Sequence, residues 1–306
     1  TASIAGARFL GNEGVLAWSK DGRFWQWRIG ETEASSSWQT ACAVRGVDIA
    51  ADAGSVLSWC DTTLMRRDLT PGGARVPPWE SPETVDGARI VPGGKVIVSW
   101  NAARGRLRLW NAATGQPRFD QPLARDSDGS ISHVLVTPEG SRIITSGGGG
   151  NIDLWDLAEG AIAARGRHDK AEATVSTAIA PDGTRVLAWS ATAGARLWDT
   201  NTLTPLSLPL QHLERITGAA FFDDGEGIVT WSDDADLRVW RRHPAAELTA
   251  PVAASGSASS KAKATVPDSA LKARLDALGL HGYELLDQGD DATLVVAGPL
   301  ARRLGA

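Results

Sequence analysis

The chain has 306 residues, 42% hydrophobic and 22% charged, an ordinary globular composition that excludes a disordered or fibrous protein. Its net charge of −5, from 31 basic against 36 acidic residues, gives no electrostatic ground for nucleic acid or an anionic membrane as partner. No apolar run reaches the roughly 18 residues of a membrane helix, and the N-terminal stretch lacks the basic-then-apolar order of a secretion signal. Two cysteines, Cys42 and Cys60, are too few for a disulfide framework and lack zinc spacing, so buried thiols and a reducing, cytoplasmic compartment are expected. The anomalies are 33 Gly and 13 Trp, against 5 Phe and 1 Tyr, and they direct attention to repeats.

In chain order, one pattern recurs six times: GVLAWSKDGRFWQWR (14–28), SVLSWCDTTLMRRD (55–68), KVIVSWNAARGRLRLWN (95–111), RIITSGGGGNIDLWD (142–156), RVLAWSATAGARLWDT (185–200) and GIVTWSDDADLRVWR (227–241). Apolar and polar residues alternate on both sides of a central turn, which predicts two antiparallel strands per copy. The terminal aromatic position falls at Trp27, Arg67, Trp110, Trp155, Trp198 and Trp240, a spacing of 40 to 45 residues. A shorter apolar strand precedes each copy and ends in a turn closing on Gly14, Gly54, Gly94, Gly140, Gly183 or Gly225, where positive φ is expected. The 12 to 20 variable residues between units are long enough for a fourth, outer strand. Large residues at fixed positions, Trp18, Trp59, Trp189 and Trp231 on the second strands and the third-strand Trp set, are expected to fill the space between sheets. Four short strands repeated at this period predict an all-β protein, a β-propeller of four-stranded antiparallel blades.

These residues resemble the WD-repeat β-propeller family, in the divergent form of its bacterial members. Leu-Trp-Asp at 154–156 and 197–199, Leu-Trp-Asn at 109–111, Val-Trp-Arg at 239–241 and the turn Pro181-Asp182-Gly183 carry the resemblance, which covers residues 4 to 243. It implies a buried network of His, Asp, Ser or Thr, and Trp in each blade. Here His212, and less completely His168, occupy the histidine slot, with Ser58, Thr145 and Thr230 as hydroxyls and Ala17 and Ala188 in place of two others.

The expected organisation is a propeller of six repeats over 1–244, an Ala/Ser-rich linker over 245–267, and a helix plus β-hairpin over 268–306. Asp268 and Ser269 cap a helix to about Leu278, and GYELLDQGDDATLVVAGP (282–299) aligns with the first two strands of a degenerate seventh blade or stands as an appendage. A chain starting at Thr1 within a repeat is expected to be a piece of something longer, with a fused N-terminal domain outside it.

No catalytic site, metal or cofactor is expected. Gly147 to Gly150 lack the Lys-Ser/Thr of a phosphate loop; His133, His168, His212, His243 and His281 are 31 to 44 residues apart; and Asp223, Asp224, Asp233, Asp234 and Asp236 read as turn residues in an order unlike a calcium loop. Arg67 reads either as an exposed cation or as divergence, with Arg66 or Arg67 pairing with Asp68. The resemblance implies a scaffold or sensor platform for another protein or peptide, in bacterial signalling proteins often carried behind an ATPase, kinase or peptidase domain. Loops before first strands and turns between second and third strands would meet the partner, which on this chain places Lys20, Asp21, Arg45, Asp61, Arg104, Asn151, Glu172, Arg215, Asp233 and Asp234 on the binding face. The alternative class is a propeller enzyme or metal- or small-ligand-binding propeller using a central channel, for which Asp48 and His133 are the inward polar candidates. A further alternative is a missing blade supplied by another chain.

Overall fold

The computed structural model describes residues 3–70, 76–124, 129–168, 175–192, 194–207, 209–234 and 236–241, together with strands at 284–287 and 293–297. The described chain is all-β. Each repeat folds as expected into strands that pair in chain order. The first sheet is β1 (Ile4–Leu10), β2 (Gly14–Ser19), β3 (Arg23–Arg28) and β4 (Ser36–Gln39). The second is β5 (Gly46–Ile49), β6 (Ser55–Cys60), β7 (Thr63–Asp68) and β8 (Trp79–Glu80). The third is β9 (Gly87–Ile90), β10 (Val96–Asn101), β11 (Arg106–Asn111) and β12 (Leu123–Ala124), and the fourth β13 (Ile131–Val136), β14 (Arg142–Gly147), β15 (Asn151–Asp156) and β16 (Ala161–Arg167).

The fifth sheet has three strands, β17 (Ser176–Ile179), β18 (Arg185–Ser190) and β19 (Gly194–Asp199). Its outer position is taken by single bridges from Leu210 to Ala195 and Pro205 to Trp198, because Pro205 and Pro209 have no N–H to donate to a continuous ladder. The sixth contains β20 (Ile216–Phe222), β21 (Gly227–Ser232) and β22 (Leu237–Arg241), then β23 (Glu284–Asp287) and β24 (Thr293–Ala297), in the order β20-β21-β22-β24-β23. The hairpin expected within 282–299 therefore exists, but it extends the sixth sheet and begins no new one. β22 has an open edge of unpaired N–H and C=O groups, and the alternating Thr293–Ala297 segment satisfies it, Trp240 opposite Thr293 and Leu237 opposite Val296. The linker, the helix near Leu278, His243 and His281 lie outside the described residues.

The chain divides into two compact units, Thr1–Thr145 with Trp155–Ala163, and Ser146–Leu154 with Ala164–Ala306. In the first unit, successive cores are shared between neighbouring sheets. Leu16 and Phe24 of the first sheet meet Val56 of the second; Leu57 and Leu64 of the second meet Ile97 and Trp110 of the third; Val98 and Leu107 of the third meet Ile143 and Trp155. Trp110 and Trp155 thus cover the preceding sheet, Trp110 lying against Trp79 of β8 at 6.3 Å. Arg67 holds that position in the second sheet and does the same work by other means, its guanidinium lying 4.4 Å over the Trp38 ring of β4. Arg66 pairs with Asp68, at 2.9 Å. In the second unit, Leu187, Ala195 and Ile228 form the core, with Trp189 and Trp240 packed on it.

The second-strand Trp residues rest on glycine. Gly6, Gly46, Gly87 and Gly218 stand opposite Trp18, Trp59, Trp100 and Trp231 in the strand register, and a Cβ on any of them would fall 2.0–2.4 Å from the indole Cζ2. Each indole therefore lies flat against its neighbouring strand. Gly87→Ala is expected to displace Trp100 and destabilise the first unit by about 1–3 kcal/mol in urea unfolding; an unchanged midpoint would show that the indole has room elsewhere.

Two expectations are corrected. Positive φ is found at Gly94, Gly140, Gly183 and Gly225, but in the first two repeats it falls on Gly11 and Ala53, so those turns place their left-handed residue before the closing glycine. The cysteines are also not thiols: Cys42 and Cys60 are joined by a disulfide, with Cα atoms 6.2 Å apart. Residue 45 donates its amide to the Trp59 carbonyl at 2.9 Å, and this folds the segment after β4 over the end of β6, bringing Cys42 to Cys60.

Candidate functional site

The loop before a first strand and the turn between second and third strands meet at the same end of a sheet, and in two repeats they are tied by an ion pair. Arg45 before β5 pairs with Asp61 in the β6–β7 turn at 2.8 Å, and Arg215 before β20 pairs with Asp233 in the β21–β22 turn at 2.9 Å. In the third repeat Asp86, before β9, accepts instead the amide of Ala102 at 2.7 Å. These pairs are exposed and add little to stability, so in each unit they shape a mixed-charge strand end rather than the core.

The other residues expected on this surface divide. Asp21 sits in the β2–β3 turn, where the Ser19 hydroxyl and the nearby Arg23, 3.4 Å away, hold its carboxyl below the usual range despite some burial. Lys20 is exposed beside it, and its carbonyl accepts the Val44 amide at 2.9 Å. Arg104 leans on Glu83 and Asn151 begins β15. Asp234 is turned inward, and Glu172 lies outside the described residues.

Asp234 belongs to a buried network in the second unit. Trp240 Nε1 donates to Thr230 Oγ1 at 2.9 Å, Thr230 Oγ1 lies 2.7 Å from His212 Nε2, and His212 Nδ1 lies 3.3 Å from Asp234 Oδ2. The donors run one way, indole to hydroxyl to imidazole to carboxylate, if His212 is neutral with its proton on Nδ1. Burial lowers the His212 pKa against the opposing pull of Asp234, which favours that neutral form. Burial would raise Asp234, but the Ser232 hydroxyl, the Asp236 amide and His212 together bring it down to about 2. With the imidazole uncharged at neutral pH, the hydroxyl and amide donors carry most of that effect.

Both shifts act in the same direction. A folded pKa below the unfolded value means the unfolded chain binds more protons, so stability falls with acid. The His212 contribution declines as pH drops below about 6.5, and that of Asp234, about 2 kcal/mol, is complete above pH 4 and lost toward pH 2. Urea unfolding across pH should show both limbs, and Asp234→Asn should flatten the lower one; a parallel profile would show that Asp234 is not held by these donors.

Partial versions of the network occur elsewhere. Trp110 donates to Ser99 and Trp155 to Thr145, both at 2.9 Å, whereas the fifth repeat has Ala188 at the hydroxyl position and the Trp198 Nε1 has no partner among the described residues. His168 bonds the Gly194 carbonyl at 3.0 Å. Trp110, Trp155 and Trp198 are buried, while Trp27 and Trp240 are half-buried. Trp27 instead lines an open cleft of about 520 Å³ with Gln26, Arg28, Ser36 and Arg67.

Of the inward polar candidates, Asp48 is engaged in holding the next strand: it accepts the Ile90 amide at 2.7 Å and Arg89 at 3.0 Å. His133 is half-buried, and burial lowers its pKa. Among the described residues no group of three or more His, Cys, Asp or Glu is placed to hold a metal ion, and no helix is long and apolar enough to cross a membrane. No family model matches the chain, and no curated protein matches it.

Proposed function

We propose that the chain is a non-catalytic interaction platform, a WD-repeat β-propeller of bacterial type that binds another protein or peptide through its loop-bearing strand ends. The observation that carries this reading is the recurrence of the loop-to-turn ion pair, Arg45 with Asp61 and Arg215 with Asp233, at equivalent places in two repeats. A platform needs recognition groups fixed on rigid strand ends, and these pairs fix them where no core packing requires it. Supporting it are six sheets whose first three strands pair in chain order and the Trp240, Thr230, His212, Asp234 chain that locks the sixth repeat's turn to its third strand. Where thiols are kept reduced a bond such as Cys42–Cys60 does not persist, so it supports an oxidising compartment over the cytoplasm.

The test preserves each pair while inverting its polarity. Arg45→Asp with Asp61→Arg, and Arg215→Asp with Asp233→Arg, should leave the melting curve in place and abolish recovery of the partner that the unaltered chain captures from a lysate. Equal recovery by all three proteins would remove this surface from the function.

A further inference from the structure

Three arginines gather at one end of the third sheet. Arg104 lies in the β10–β11 turn and Arg106 and Arg108 on β11, where they share an open cleft of about 410 Å³ walled by Pro82 and Pro122. Arg106 and Arg108 are two residues apart on one strand, so their side chains leave the same face about 7 Å from each other. Glu83 is shared by two of the three: Arg106 donates to its Oε1, and Arg104 Nη1 lies 3.6 Å from the same oxygen. Arg108 has no ion-pair or hydrogen-bond partner among the described residues. Glu83 is also the inner member of the group, its side chain 16% exposed against 63% for Arg104 and 41% for Arg106, so the guanidinium groups face the opening. On a chain of net charge −5 this is a local cationic site, with fewer carboxylates than guanidinium groups among the described residues that line it.

We propose that this cleft binds an extended acidic peptide segment of a partner protein, with carboxylates at alternate positions i and i+2 seated on Arg108 and Arg106. The planar guanidinium fork matches a carboxylate in two parallel hydrogen bonds, and Arg keeps its charge at every physiological pH. An extended peptide presents every second side chain on one side at the same spacing of about 7 Å as the two arginines of β11. Glu83 takes Nη1 of Arg106 as such a carboxylate would, and Arg108 with the remaining donors of the Arg106 fork is left for the ligand. A long nucleic acid is disfavoured, since a polyanion lying across this site would meet an acidic protein around it. The proposal rests on the platform reading and adds the chemistry of the partner.

The experiment is fluorescence anisotropy with the full chain and two labelled peptides of identical composition, Ser-Glu-Ser-Glu-Ser-Glu-Ser and Glu-Glu-Glu-Ser-Ser-Ser-Ser. The alternating peptide is expected to bind at least fivefold more tightly than the block isomer. Arg108→Gln, which breaks no ion pair among the described residues, should weaken it at least tenfold with an unchanged circular dichroism spectrum, while Arg118→Gln leaves it unaltered. No binding by the unaltered chain, equal binding of the isomers, or indifference to Arg108→Gln overturns the proposal. So does competition by inorganic phosphate or an oligonucleotide that exceeds that of the alternating peptide. Partner capture lost in the Arg45/Asp61 exchange but kept in Arg108→Gln would overturn this site and leave the platform standing.

Discussion

Trp155→Ala is expected to lower the stability of the first unit by about 3–5 kcal/mol, a large share of the 5–15 kcal/mol that holds a domain folded. Trp155 is 2% exposed and packs among Val98, Leu107, Leu109, Ile131 and Ile143, residues of the third and fourth sheets. Truncation removes its dispersion contacts, leaves a cavity that rigid strands cannot close, and strands the Thr145 hydroxyl that receives its Nε1–H. Trp27→Ala supplies the internal comparison. It is the same position in the repeat, but its indole is half-buried on an open cleft, so water fills the space and the loss should be clearly smaller. Urea unfolding followed by far-ultraviolet circular dichroism ranks the two. A Trp27 loss equal to that of Trp155 would mean that the first sheet is covered on its Trp27 face.

Removing the disulfide is expected to cost about 3 kcal/mol, the chain-entropy value for a loop closed by cysteines 18 residues apart. The bond ties the segment leaving β4 to the last residue of β6, so it couples the first and second sheets beyond their shared core of Leu16, Phe24 and Val56. The double variant Cys42→Ser with Cys60→Ser, and the unaltered chain in reductant, should show the same loss. Denatured but unreduced protein should yield no titratable thiol. Two free thiols, or a stability indifferent to reductant, would restore the reducing compartment expected from the cysteine count.

The strands were legible because their alternation survives divergence: apolar residues recur at every second position in GVLAWS and RVLAWS alike, and the turns between them are marked by Gly and Asp. The third-strand Trp positions were legible for the same reason. What could not be read depended on pairing register. Gly6, Gly46, Gly87 and Gly218 are visible in the sequence, but only the pairing opposite Trp18, Trp59, Trp100 and Trp231 explains them. The Cys42–Cys60 contact needs the return of residue 45 to Trp59, which no local spacing encodes. Arg67 read as divergence or as a surface cation, since a Trp38 ring from the preceding sheet is not inferable from residues 55–68.

The candidate surface was legible in part. Arg45, Asp61, Arg215 and Asp233 were singled out one by one, and the structure joins them in pairs. Asp234 was placed among them because it neighbours Asp233, yet strand geometry turns it inward to His212. Arg106 and Arg108 were not singled out, since nothing in RLRLW distinguishes two alternating arginines from the ordinary solvent side of a strand. The hydroxyl partner of Trp110 was legible in principle: Ser99 directly precedes Trp100, as Ser58 precedes Trp59 and Thr230 precedes Trp231, and it bonds the Trp110 Nε1.

The most direct measurement of the platform claim is hydrogen–deuterium exchange of the chain alone and with its captured partner. Protection confined to the segments before β5 and β20 and to the β6–β7 and β21–β22 turns, where Arg45, Asp61, Arg215 and Asp233 stand, is the result expected. Protection confined to the outer strands, or none above the free chain, would contradict an interaction platform built on those strand ends.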